Sequence, residues 1–328
     1  MRPPRLGLSA WARATGHRLG LRRGAAVLMY HRVAEVAFDP WSLCVSPAHF
    51  EEHLAALRDW GATVLPLAGL AEAAAAGRLP RRAVAITFDD GYADNLHAAF
   101  PALARHAAPA TVFVTAEPVL TGREFWWDAL EGLLLGETPL PGRISLTLGG
   151  GPREWGTASP VALYHEVWAA LAERPPEEQA AALDALARQI GRQAGRPGGE
   201  PRGTHRPMTP EELAALSTKG RGLVEIGGHT FGHPRLTALS PARQAEQVGR
   251  GKSAVEEMTG GRLRSFSYPY GAHNEGSVAA VREAGFKRAC TTAGASLRAR
   301  ADRFRLPRIP APDMDGDALL RRLSTVCA

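Results

Sequence analysis

Between Ala83 and Asn95 the chain reads AVAITFDDGYADN. The first six residues are apolar or β-branched and have the length of a buried strand. The run stops abruptly at two adjacent carboxylates, Asp89 and Asp90, followed by Gly91. A strand that ends this way delivers both aspartates into the loop beyond its C-terminal end, the face on which barrel enzymes carry their active sites. Adjacent residues at a strand end point in different directions. That suits a division of labour in which one carboxylate binds a metal and the other works on water. Taken alone, an Asp-Asp-Gly triplet reads more simply as a solvated turn, so the rest of the chain must decide.

Working outward, similar apolar runs recur at Ala25 to Tyr30, Ala62 to Pro66, Ala110 to Thr115, Leu223 to Gly227, Ser265 to Tyr268 and Arg288 to Thr292. Helical periodicity fills the intervals at Pro47 to Trp60, Asp94 to His106, Pro210 to Leu216, Pro241 to Thr259 and Glu275 to Ala284. Seven strands alternating with helices predict an α/β fold with a parallel sheet, open or closed into a barrel. The alternation is interrupted once, between Gly122 and Pro207. There, helical stretches at Phe125 to Leu135, Val161 to Glu173 and Pro176 to Ile190 surround the glycine-rich segment LTLGGGPREWG. This reads as a largely helical insertion over 123–207, not another strand-helix unit. The expected organisation is a basic tail over 1–24, a barrel over 25–315 carrying that insertion, and a C-terminal helix over 316–328.

Composition narrows the function classes. With 328 residues, 45% of them hydrophobic and 22% charged, the chain is neither disordered, collagenous nor coiled coil. No run approaches the roughly 18 apolar residues of a spanning helix. The first 24 residues are basic, but Arg5, Trp11, Arg13 and Arg18 interrupt any apolar core of a leader peptide. The expectation is therefore a cytoplasmic chain whose tail or short amphipathic helix can touch an anionic membrane surface. The formal charge of +6 raises the question of nucleic acid, yet all but three of the 39 basic residues are arginines scattered along the chain. A binding stripe is absent from that pattern, which argues against nucleic acid as a partner. Cys44, Cys290 and Cys327 are far apart and form no CxxC pair, so neither a disulfide framework nor a thiolate zinc site is indicated.

Three further clusters follow apolar runs. In EIGGHTFGHP, Glu225 to Pro234, His229 and His233 are four residues apart, a spacing that lets two imidazoles face one metal from a single helical turn; two surface histidines are the plainer alternative. With one aspartate they make a His, His, carboxylate set with open positions, the plan of a catalytic metal. SYPYG, Ser267 to Gly271, is an aromatic strand end that a packed tyrosine corner also explains. LMYHRV, Leu28 to Val33, places His31 after the first strand, on the same face as the aspartates.

In this order TFDDGY, HTFGHP and SYPYG resemble the polysaccharide deacetylases of carbohydrate esterase family four. The resemblance covers about 25–122 and 208–312 and implies a distorted (β/α)7 barrel. It makes Asp89 the general base and Asp90, His229 and His233 the ligands of a divalent metal, zinc foremost, with cobalt, nickel, manganese or iron admitted by such a site. It gives the Tyr270 N–H a part in holding the oxyanion. Two departures stand out: the commoner third motif has an arginine where this chain has Ser267, and the family's terminal LxH histidine has no match near RLPRIP. The branch that deacetylates bacterial poly-N-acetylglucosamine takes the corresponding histidine from a YH motif on the first strand, which LMYHRV resembles. His31 is thus the candidate general acid, with His273 in YPYGAHN as the alternative.

Arg308 either orients a carboxylate from the last strand or lies on the surface. Trp126 and Trp127 either form a sugar-stacking wall or anchor the inserted helix to the barrel. The implied activity is metal-dependent removal of acetyl groups from an N-acetylated sugar or polysaccharide in envelope or exopolysaccharide metabolism. O-acetyl esterase, small-amide hydrolase and non-catalytic glycan-binding readings are the alternatives.

Overall fold

A computed structural model describes residues 24–137, 139–191 and 202–326. Nearly all of the basic tail, and Cys327, lie outside the described residues. In chain order the strands are β1 Ala26–Tyr30, β2 Arg32–Val33, β3 Cys44–Val45, β4 Thr63–Val64, β5 Ala83–Phe88, β6 Ala110–Val114, β7 Arg143–Leu148, β8 Gly151–Gly156, β9 Val224–Gly228, β10 Ser265–Ser267, β11 Arg288–Cys290 and β12 Ile309–Pro310. The main sheet runs β11-β10-β9-β6-β5-β1-β12, with β4 also paired to β5. Every pairing within it is parallel.

Parallel strands covered by helices are buried on both faces, which is why β1, β5 and β6 read as continuous apolar runs and not as alternating ones. β6 pairs with β9 from Ala110↔Val224 to Val114↔Gly228. The insertion between them in sequence therefore leaves the sheet unbroken. At the sheet ends, Leu306 bridges to Cys290 of β11 while Ile309 pairs with Leu28 of β1. One short segment thus touches both the last and the first strand, and the sheet curls into the distorted barrel that the family resemblance implies. β12 itself was not among the seven expected strands; it has two residues, one of them a proline.

The expected helices form, with ends displaced by a few residues. Capping explains several of them. Ser46 accepts from the His49 N–H before Pro47–Asp59, Thr209 and Glu212 make a reciprocal capping box before Pro210–Lys219, and Gly260 closes Pro241–Thr259 in the left-handed conformation. The single helix expected over Asp94 to His106 is instead a π-helical turn, Asn95–Ala99, followed by the α-helix Phe100–Arg105. Pro101 has no N–H to donate to the preceding turn, and the wider turn accommodates it. Among the described residues no helix is long and apolar enough to cross a membrane.

The insertion is revised in one respect. Besides the helices Trp126–Leu134, Pro160–Leu171 and Pro176–Gln189, it contains the antiparallel hairpin β7-β8, which takes in the glycine-rich segment and the residues just before it. Gly149 and Gly150 turn it with φ of 47° and 142°, and RISLTL alternates exposed and buried residues as a half-covered strand must. The insertion has its own apolar core, with Leu130, Leu133, Ile144, Val167 and Leu186 at its centre. Burying each such side chain contributes about 1.5–3 kcal/mol. It is a packed layer, and its rim reaches the end of the barrel where β1, β5 and β9 terminate.

Candidate active site

The loops after β1, β5, β9 and β10 converge because backbone hydrogen bonds tie each strand end to its neighbour. The Asp89 N–H donates to the Tyr30 carbonyl (3.0 Å), the Thr115 N–H to the Asp90 carbonyl (3.1 Å), and the His229 N–H to the Val114 carbonyl (2.9 Å). Asp90 itself has φ of 75° and is followed by Gly91 at 89°. A side chain at Gly91 would begin only 3.2 Å from a Val114 methyl. Among the described residues, eight non-glycine residues have positive φ, and four of them are Asp90, Thr230, His233 and Tyr270. Backbone strain is thus concentrated where the expected site residues meet, a pattern typical of functional sites.

Asp90, His229 and His233 are all buried, and each offers a ligand atom within 4.8 Å of the others. Asp90 Oδ1 lies 3.5 Å from His229 Nε2 and 3.4 Å from His233 Nε2, and it has no hydrogen-bond partner. Two ligand atoms about 2.0–2.1 Å from one ion at a tetrahedral angle are about 3.4 Å apart. Burial pushes both imidazoles towards their neutral form, the form that ligates, with His229 adding to the effect on His233. Burial and the neighbouring Asp89 charge push the Asp90 carboxyl up, the penalty a bound cation would relieve. The donor set therefore fits a divalent ion. His229 is oriented through Nδ1, 2.7 Å from the Ser267 carbonyl.

His233 is held differently. Its Nδ1 has no hydrogen-bond partner, and its ring is boxed by aromatic neighbours. Trp127 and Tyr270 each have their centroid 4.8 Å away, at 64° and 70°, and Phe125 lies at 6.4 Å. Trp127 stacks on Phe125 (4.8 Å, 16°) and donates through Nε1 to the Tyr92 hydroxyl (2.9 Å), which in turn donates to Asp128 (2.7 Å). Trp126 donates to the Tyr270 hydroxyl (3.3 Å). Both tryptophans are buried in the insertion core, so they dock the insertion against His233 and leave little ring face for a sugar. Of the two readings offered by the sequence, packing supports the anchor.

Asp89 is gripped by Arg308, whose Nη1 and Nη2 donate to Oδ1 and Oδ2 at 2.7 and 2.6 Å. The other donors reach Thr87 Oγ1 (3.2 Å), Ser267 Oγ (2.9 Å) and the Thr291 carbonyl (2.9 Å). All five guanidinium N–H groups are thereby engaged, and the side chain is fully buried. Arg308 is therefore not on the surface and has no N–H left for a substrate; of the two placements the sequence offers, it stands against a carboxylate. Its guanidinium meets Ser267, the position where the commoner family motif has an arginine. Burial pushes the Asp89 carboxyl up, but the charge and hydrogen bonds of Arg308, foremost among the opposing influences, hold it well below the usual carboxylate range.

His31 Nε2 lies 3.9 Å from Asp89 Oδ2, and the side chain is 15% exposed. Burial pushes His31 down to about 4, opposed by Asp89. His273 faces elsewhere, with Nδ1 2.8 Å from the Gly271 carbonyl and its ring stacked on Tyr268 (5.1 Å). No hydrogen bond or ion pair among the described residues joins it to the cluster. Sequence reasoning did not single out Asp128, Glu131 and His205, which also converge. Their groups are already engaged, Asp128 by Tyr92, and Glu131 by Arg202 (3.0 Å) and His205 (3.4 Å).

Comparison with known proteins agrees with this geometry. The chain is similar to the Streptococcus pyogenes deacetylase PplD, solved in complex with acetate, at 18% identity and a TM-score of 0.59 over 92% of this chain and 98% of that one. IcaB from Ammonifex degensii gives 21% identity and a TM-score of 0.59 over 93% of this chain and 98% of its own. A curated Bacillus subtilis relative, the polysaccharide deacetylase homologue YxkH, is 21% identical over 294 residues, 89% of this chain and 73% of that protein. The polysaccharide deacetylase family model matches residues 76–131 and 182–289, half of the chain, and includes both aspartates and both histidines of the cluster. On that match, carried by the strand ends and side chains described above, this chain belongs to the polysaccharide deacetylase family.

Proposed function

We propose that the protein is a metal-dependent hydrolase that removes acetyl groups from an N-acetylated carbohydrate. The observation that carries this reading is the spacing of three buried ligand atoms beside an aspartate held ionised by a buried arginine. Asp90, His229 and His233 would hold the metal, which when bound polarises the acyl carbonyl and acidifies water.

The remaining chemistry belongs to the chain's own groups. Arg308 keeps Asp89 ionised, the state that accepts a proton from water. The same pairing makes Asp89 a poor place for that proton to stay. His31, 3.9 Å away and neutral at rest, can receive it and pass it to the leaving nitrogen, which departs poorly as an anion. The Tyr270 N–H would help hold the oxyanion. Need for an acid favours an amide over an ester, whose alkoxide leaves more readily, so N-deacetylation is preferred over O-deacetylation. The YH pair at Tyr30 and His31 relates the chain to the poly-N-acetylglucosamine branch and points to envelope or exopolysaccharide metabolism.

Mass-spectrometric detection of acetate from a panel of N- and O-acetylated glycans tests this, with Asp89→Asn beside the parent. Acetate from N-acetylated glycans, lost in Asp89→Asn, is the expected result. Release from O-acetylated glycans alone would reassign the site to ester hydrolysis, and none from any glycan with metal supplied would leave only a binding role.

A further inference from the structure

Trp41 stands out among the described residues as the large aromatic side chain left exposed. Its relative exposure is 38%, and the other exposed large hydrophobics are Leu120 and Val161. The ring is nonetheless fixed. Its Nε1 donates to the Tyr164 hydroxyl (3.3 Å), and its plane lies 37° from that of Trp168 with centroids 4.3 Å apart. The loop beneath it is clamped by Asp39, whose carboxylate accepts from the Leu43 and Cys44 N–H groups at 2.9 Å each. Ser42, the next residue, is held in the left-handed region at φ 53°. A non-glycine residue there is strained unless its surroundings impose it. The turn thus presents a rigid aromatic surface to solvent.

That ring is joined to the active site through packed aromatic side chains. Trp168 stacks on Trp126 (5.8 Å, 29°), Trp126 donates to the Tyr270 hydroxyl, and the Tyr270 ring packs on His233. One aromatic row therefore runs from His233 outward to Trp41, with Tyr270, Trp126 and Trp168 standing between them. A pyranose has an apolar C–H face and a hydroxyl rim, which matches a fixed aromatic ring flanked by polar groups.

We propose that Trp41, backed by Trp168, is a stacking subsite for a sugar ring remote from the scissile acetamide, and that it makes an extended glycan a better substrate than a single sugar. The proposal rests on the carbohydrate reading above. Holding a remote ring supplies binding energy that a truncated substrate lacks.

The test compares kcat/KM for acetate release from N-acetylglucosamine and from its β-linked pentamer, in the metal-loaded parent, Trp41→Ala and Trp41→Phe. The parent is expected to prefer the pentamer, with the pentamer-to-monomer ratio falling about 5- to 10-fold in Trp41→Ala, the scale of one aromatic stacking contact. Trp41→Phe keeps a ring face and should retain most of the ratio. Unfolding midpoints of the three proteins separate this from a folding defect. A ratio unchanged in Trp41→Ala, an equal loss in Trp41→Phe, or a parent without chain-length preference would overturn the subsite. Absence of acetate from both sugars would instead overturn the carbohydrate reading, and the subsite with it.

Discussion

Replacing Arg308 by methionine tests the electrostatic design of the site. Arg308 and Asp89 are 0% and 3% exposed at their side chains, so solvent screens their interaction little. Removing one partner of a buried ion pair leaves the other charge desolvated, at a cost of roughly 3–5 kcal/mol, a large share of the 5–15 kcal/mol by which domains are ordinarily stable. Arg308→Met should lose that amount in urea unfolding at pH 7. The double variant Asp89→Asn/Arg308→Met should be more stable than the sum of the single losses predicts, by at least about 1 kcal/mol, because no buried charge then remains.

The pH dependence should also change sign. In the parent, Asp89 is held below its unfolded value. Its contribution is present above about pH 4 and is lost as pH falls through the lower folded value. In Arg308→Met burial alone acts, the carboxyl is pushed up, and acid should stabilise the variant relative to the parent. A loss under about 1 kcal/mol, or strictly additive single losses, would refute this reasoning.

Three further outcomes follow from the geometry. His31→Ala should lower deacetylation by roughly 10²- to 10⁴-fold with metal content intact; near-normal turnover on an amide would return the acid role to His273. Trp127→Leu removes a wall of the box around His233, which has no hydrogen bond at Nδ1. It should weaken metal affinity about 10- to 100-fold in a chelator competition, and unchanged affinity would show that the box does not position the ligand. Burial raises the Asp128 carboxyl to about 6 from 3.8, partly offset by Arg32. The folded state therefore loses up to roughly 3 kcal/mol as pH rises from 4 to 7. Asp128→Asn should gain on the parent over that window, and a pH-independent difference would contradict the shift.

What the sequence revealed and what it hid divide along physical lines. The step from AVAITF to Asp-Asp-Gly was legible because a buried parallel strand must be apolar on both faces and its end is where polar groups first become tolerable. His229 and His233 were legible as a pair from their four-residue spacing, but an irregular loop with Thr230 and His233 at positive φ brings them together, not the helical turn that this spacing suggests. The hairpin β7-β8 was obscured by its glycines, although the alternation in RISLTL was there to be read. Pro101 marked the break in the helix after the aspartates.

Arg308 was the hardest to place. It precedes a strand of only two residues, one of them a proline, and its partner Asp89 lies 219 positions away. No local pattern announces such a pairing, and the only hint was the missing arginine at Ser267. The chain from Asp128 through Tyr92 and Trp127 to His233 left no sequence signal either, since it joins a barrel loop, an inserted helix and the loop after β9 through side chains alone.

The most direct test of the central claim is a metal titration of stripped protein with zinc or cobalt, following bound metal and acetate release from an N-acetylglucosamine oligomer together. One ion per chain should bind, and acetate release should rise in step with occupancy. Asp90→Ala and His229→Ala should lose both, while Asp89→Asn keeps the metal and loses turnover. Acetate release that persists at full rate in the stripped protein, or equal loss of metal from Asp89→Asn and His229→Ala, would contradict the account.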